Sequence, residues 1–351
     1  MMRILQILHD RERGGIVTLA AMIEEGLAEH GAVVETDYLF PRPGLNTLAK
    51  LSCAAAMARR IVRGGFDALI AYQATASILV GAIGRLQGCQ VRIVHQTCTP
   101  GATALPVRIA DKLVGALGLY TVNIANSVAT RAEFDRYPLP YRRSMVLIEH
   151  GLDKPAPTRS RAETRRKFSL PQAAPILLNV GRLVAQKNQD VLIRALAYVP
   201  NAHLAIAGDG ANGVAYRARA ADLGVGERLH LLGALSSEDV TNLYAAADLF
   251  VFPSVWETFG LAAVEAAMAG LPMVVADLAV LREVLSTEVS QPVAFVAPDD
   301  VPGWVSKINA ALGARPSPEL VTRFADTITQ KYSRERMIES YVGLLKTAAA
   351  A

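Results

Sequence analysis

The sequence predicts an α/β protein built as two doubly wound, Rossmann-like domains, and three observations predict it. Short apolar runs of strand character alternate with longer helical stretches, the pattern of a parallel sheet with helices on both faces. That alternation stops at a Pro- and charge-rich passage near mid-chain and then restarts. With 351 residues, 52% of them hydrophobic, the chain can bury two cores.

In chain order, RILQIL (Arg3 to Leu8) reads as a strand, and GGIVTLAAMIEEGLAEHG as a Gly-started helix closed by Gly31. ALIAY and VRIVH are further strands. The passage after VLIEHGLDKPAP, running to about Lys167, reads as a linker. ILLNVGRL, HLAIAGDG, RLHLLGAL, LFVFPS and PMVVAD supply the strands of the second unit. Between the last two, Gly260 permits a tight helix entry, Leu261 to Met268 is unbranched except for Val264, and Gly270 with Pro272 ends the helix. YSRERMIESYVGLLKTAAA is an amphipathic helix with no strand after it, expected to pack back on the first domain. The expected division is therefore 1–165, 166–330 and a C-terminal helix 331–351.

Composition excludes several classes. The longest uncharged stretches, Ala68 to Gly84 and Leu113 to Thr130, are broken by Gln73 and Ser77 and by Asn123, Asn126 and Ser127, so neither reads as a membrane span. Asp10, Arg11, Glu12 and Arg13 interrupt the first apolar run, which argues against a signal peptide and for a cytoplasmic chain. Cys53, Cys89 and Cys98 show no metal spacing, fitting a reducing compartment; Cys98 near His95 is either an inert buried thiol or a reactive one. Residues 1–165 hold 20 Lys/Arg against 14 Asp/Glu, the remainder 16 against 18. Few aromatics interleave the basic residues of the first half, which disfavours nucleic acid. Its partner is either an anionic membrane surface, at the inner face of the plasma membrane, or an anionic acceptor; otherwise it is a solvated basic face.

In doubly wound sheets ligands sit at the carboxyl ends of strands, at Gly-rich turns and helix N-termini. Gly14 and Gly15, in the turn after the first strand, form either a phosphate cradle or a plain turn. GRLVAQKN places Arg182 and Lys187 beyond a strand end, where a guanidinium fork and a point charge clamp a diphosphate or are merely solvated. GDGANG, beginning at Gly208, matches the dinucleotide fingerprint weakly, because the next strand does not end in an acidic residue. GALSSED, with Leu235, is placed to edge a nucleotide base. In PSVWETFGLAAVEAAMAGLPMVVAD, Glu257 lies before a helix and Glu265 inside it. A carboxylate on so apolar a helix must meet something polar.

GRLVAQKN, AIAGDG, LHLLGALSSEDVTNLYAAADLFVFPS, ETFGLAAVEAAMAGLPMVVADLAVLREV and AFVAPDD stand in the order and spacing of the retaining glycosyltransferases of family 4, which the second half resembles closely. The first half resembles them more loosely, through GGIVTLAAMIEEGLAEHG, VRIVHQT, IANSVATRAEF and EHGLD. The resemblance implies the GT-B fold, with the two domains facing each other across a cleft, and transfer of a hexosyl unit from a GDP- or UDP-sugar to a glycan or lipid-linked acceptor. It implies that Arg182 and Lys187 hold the donor diphosphate, helped by the amides of Phe259, Gly260 and Leu261. Glu257 then resembles the motif glutamate that reaches the sugar hydroxyls, and Glu265 the one that accepts from the ribose. His95 falls where the family carries a histidine near sugar and acceptor. No D-x-D occurs, so no metal is expected. His150 before Gly151, Tyr72-Gln73 in place of a histidine pair, and ADLAV in place of Gly-Gly depart from the family pattern.

Overall fold

The computed structural model describes residues 1–11, 14–42, 44–288 and 291–350, with side chains to 348. The sequence reading of Glu12 and Arg13 lies outside them. The chain forms two compact units, Met1–Gly151 with Tyr332–Ala351, and Leu152–Lys331.

The first unit is a six-stranded parallel sheet made of β1 (Arg3–Asp10), β2 (Val33–Phe40), β3 (Ala68–Tyr72), β4 (Val91–Gln96), β5 (Val122–Ala125) and β6 (Met145–Leu147), in the order β2-β1-β3-β4-β5-β6. Strands covered on both faces are mainly apolar: every residue of ALIAY in β3 and VRIVHQ in β4 is buried, with Arg92, His95 and Gln96 the polar positions of β4. The edge strand β2 carries Glu35, Thr36 and Asp37 and is only partly buried, which is why it did not stand out as a strand. The C-terminal helix Arg334–Ala350 packs on the helix Gly15–Glu29 and on β4. Gly151 makes room for it, since a Cβ there would lie 2.4 Å from the Ser333 carbonyl oxygen.

The second unit repeats the plan with β7 (Ile176–Val180), β8 (His203–Ala207), β9 (Leu229–Gly233), β10 (Leu249–Phe252), β11 (Met273–Ala276) and β12 (Val293–Val296), ordered β12-β11-β10-β7-β8-β9. Strand order reverses between β7 and β10, which puts the switch point, and the expected ligand position, at their carboxyl ends. Among the described residues no helix is long and apolar enough to cross a membrane.

The division falls at Gly151 rather than at 165, because the passage read as a linker is docked on the second unit. Asp248 is 2% exposed and takes ion pairs from Arg161 and Arg165, each at 2.7 Å. The Thr158 and Arg159 amides both donate to Asn242 Oδ1. Helix Arg161–Lys167 opens with a Ser160/Glu163 capping box. A buried carboxylate needs partners, and this segment supplies them.

Candidate active site

The turn after β7 and the loop after β10 are tied together at the switch point. Gln186 accepts from the Val255 amide at 2.9 Å through its carbonyl, and donates to the Trp256 carbonyl at 3.0 Å through its side chain. Asn188, in the left-handed conformation at φ 51°, donates to the carbonyls of Pro253 and Pro298. The fully buried Gln189 holds the Arg182 carbonyl at 3.0 Å. These bonds aim Lys187 at the β10 loop, where its ammonium pairs with Glu257 and lies 5.1 Å from the centre of the Phe252 ring. The Glu257 side chain is only 9% exposed, so the pair is well shielded from solvent. Arg182 is exposed on the same turn.

Behind that loop, Gly260 enters helix Leu261–Met268 at φ 87°, a conformation that favours glycine; a Cβ there would also lie 2.7 Å from Leu281. Phe259 is buried, and the helix N-terminus at Gly260 and Leu261 favours a negative charge. Glu265 lies one turn in. Its Oε2 accepts from the Tyr244 hydroxyl at 2.8 Å, and burial pushes its carboxyl above the ordinary range. The protein itself therefore provides one polar partner for Glu265. The sequence reading missed Tyr244 because LYAAAD shows an aromatic on an apolar helix face and not which carboxylate it meets.

The Glu265 shift gives a pH prediction. A carboxyl with a raised folded pKa binds its proton more tightly in the native state, so the stability it contributes is present below the ordinary value of 4.5 and is lost as pH rises through the folded value. Gln keeps an acceptor for Tyr244 but cannot ionise. Melting curves against pH are expected to show Glu265→Gln gaining on the wild type above pH 4.5; parallel curves would mean that Glu265 is not desolvated.

GDGANG has a backbone explanation. Gly208 sits against the turn after β7, where a Cβ would lie 2.0 Å from the Gly181 carbonyl oxygen, and one on Gly210 would lie 2.6 Å from that of Leu183. The Leu183 amide donates to Asp209 at 2.9 Å and the Gly208 amide to Gly233 at 2.8 Å, so three strand-end turns are laced together. The glycines allow this close approach and position Arg182 and Lys187. Leu235 is half-buried in the turn after β9.

In the first unit, Gly14 is exposed and caps helix Gly15–Glu29 at the end of β1, with Gly15 its first residue. His95, expected near the sugar and acceptor, lies at the end of β4. It is 2% exposed and stacks between Tyr72, at 4.5 Å between ring centres, and Tyr341, whose hydroxyl is 2.9 Å from Nε2. The ring is occupied in packing the C-terminal helix onto β4. Tyr72 passes the contact on to buried Gln6 at 2.5 Å. His150 meets the Asn126 amide nitrogen at 3.0 Å through Nε2.

Burial lowers the pKa of His95 to about 3 and of His150 to about 4. Both are neutral in the native state, so their contribution is present above 6.5 and is lost as pH falls toward those values. Substituting His95→Gln is expected to make the fall of melting temperature between pH 6.5 and 4 shallower, by up to one proton's worth of slope. An unchanged slope would mean that the ring protonates in the folded state.

Residues 160–328 match the family Glycosyl transferases group 1. The chain is 35% identical over 210 residues to D-inositol 3-phosphate glycosyltransferase of Mycolicibacterium smegmatis, covering 55% of this chain and 48% of that protein. It is 32% identical over 188 residues to an uncharacterized glycosyltransferase of Methanocaldococcus jannaschii, covering 52% and 48%. The matched stretch thus spans about half the length of these relatives. The fold is that of Anabaena HepE in complex with UDP-glucose (TM-score 0.84, 19% identity, 99% and 100% of the two chains) and of sucrose-phosphate synthase from Thermosynechococcus elongatus (0.83, 19%, 100% of both). Both sheets together make it a GT-B fold with two Rossmann-like units.

Proposed function

We propose, from the match of residues 160–328 to the glycosyl transferases group 1 family, that the protein moves a hexosyl unit from a GDP- or UDP-sugar to a glycan or lipid-linked acceptor, with retention and without a metal, in cell-envelope or exopolysaccharide synthesis. The observation that carries this reading is the meeting of Lys187 with Glu257 across the β7/β10 switch point, on loops that also bear Arg182 and a helix N-terminus. HepE holding UDP-glucose in the same fold supports a nucleotide-sugar donor.

In this reading Arg182 and Lys187 hold the diphosphate and supply the positive charge that a divalent cation supplies elsewhere. The phosphate takes over Lys187, which frees Glu257 for the sugar hydroxyls. Glu265, held by Tyr244, accepts from the ribose. The acceptor oxygen bonds to the anomeric carbon on the face that the diphosphate leaves. The leaving group keeps the bonding pair and takes the acceptor proton on its own oxygen.

A panel of nucleotide sugars tests this. The correct donor at 100-fold over its Kd is expected to stabilise the protein by about 2.7 kcal/mol. NMR of the product should show the donor's anomeric configuration, with turnover unaffected by EDTA. An inverted product would overturn retention, and tight donor binding without turnover would instead favour a silent nucleotide-sugar-binding subunit.

A further inference from the structure

One side of the first sheet carries the adjoining helices Thr47–Gly64, Ala74–Gln87 and Leu105–Ala116, with the short helix Leu139–Arg143 packed on the third. These four helices contain nine Lys and Arg and a single acid, Asp111. Asp111 is buried, accepting at 2.7 Å from each of the Tyr120 and Tyr141 hydroxyls. That inward anchor fixes the rotation of helix Leu105–Ala116 and turns the opposite face outward.

On that face Leu105, Ile109, Leu113 and, just past the helix end, Leu117 are 56%, 50%, 59% and 74% exposed. Spaced four residues apart, they form one aliphatic row about 18 Å long at 1.5 Å per residue. Leu48, Leu51, Leu86 and Leu139 of the same helical layer are exposed too. Arg60 is tied to Glu35 and Asp37, whereas Arg108, Lys112, Arg142 and Arg143 make no ion pair among the described residues. Exposed aliphatic rows on a surface this short of acids need a partner that is apolar and anionic together.

We infer that this helical face docks on an anionic lipid surface, with Leu105, Ile109, Leu113 and Leu117 entering the headgroup boundary while Arg108, Lys112, Arg142 and Arg143 meet lipid phosphates. A second copy of the chain would set the same cations against one another. Nucleic acid offers nothing to a row of leucines without stacking aromatics. The inference rests on this face alone and is independent of the donor chemistry.

Sedimentation with vesicles tests it. The protein is expected to pellet with phosphatidylglycerol/phosphatidylcholine vesicles at low salt, to be released as ionic strength rises, and to ignore pure phosphatidylcholine. Arg142→Ser/Arg143→Ser should weaken binding about 30-fold, as removal of two basic side chains from a lipid surface does. Ile109→Ser/Leu113→Ser should weaken it at least as much at unchanged melting temperature, since both residues are exposed. Equal partitioning into neutral vesicles, or binding that both variants retain, would overturn the proposal. So would a wild-type dimer in light scattering that Ile109→Ser/Leu113→Ser dissociates, because the face would then join two copies.

Discussion

Lys187→Ala is expected to lower turnover by about 100-fold or more, the scale of losing one donor aimed at developing negative charge. In the proposed reaction the Lys187 ammonium gains most when the diphosphate leaves, so the loss should fall on kcat more than on the donor KM. The structure adds a stability effect. Removing Lys187 leaves Glu257, 9% exposed, without its cation, and truncating one partner of a shielded pair destabilises more than removing both. Lys187→Ala/Glu257→Gln should therefore recover melting temperature without recovering turnover. Wild-type turnover in Lys187→Ala would sink the assignment; a recovery of both quantities together would make the pair structural only.

Exchanging the two motif glutamates is expected to divide binding from chemistry. Glu265→Gln should weaken the free nucleoside diphosphate and raise the donor KM, because ribose contacts are alike in ground and transition states. Glu257→Gln should slow transfer about 100-fold, or about 2.7 kcal/mol, since its carboxylate faces a sugar that gains positive charge as the bond breaks. The Lys187–Glu257 pair sharpens this. Neutralising Glu257 removes the anion that competes with the diphosphate for Lys187, so nucleoside diphosphate should bind Glu257→Gln no more weakly than the wild type. Isothermal titration alongside transfer kinetics separates the roles, and equal weakening of the diphosphate by both substitutions would show the division to be wrong.

Much of this molecule was legible in its sequence. Both parallel sheets announced themselves through runs such as ALIAY and LFVF, because strands covered on both faces carry few polar positions to interrupt the apolar run. The entry at Gly260 and the placing of Glu257 before the helix and Glu265 within it also follow from local rules. The half-solvated β2 escaped notice because its charged residues mimic a loop.

Tertiary structure alone decided which side chain meets which. Tyr244 holds Glu265 across 21 residues, Lys187 reaches Glu257 across 70, and Asp248 draws Arg165, with the supposed linker, onto the second unit across 83. Local periodicity specifies the face of a helix or strand on which a residue lies. A hydrogen bond or an ion pair also requires the facing element to present its partner within about 3 Å, and only the order of strands in the sheet brings those elements together.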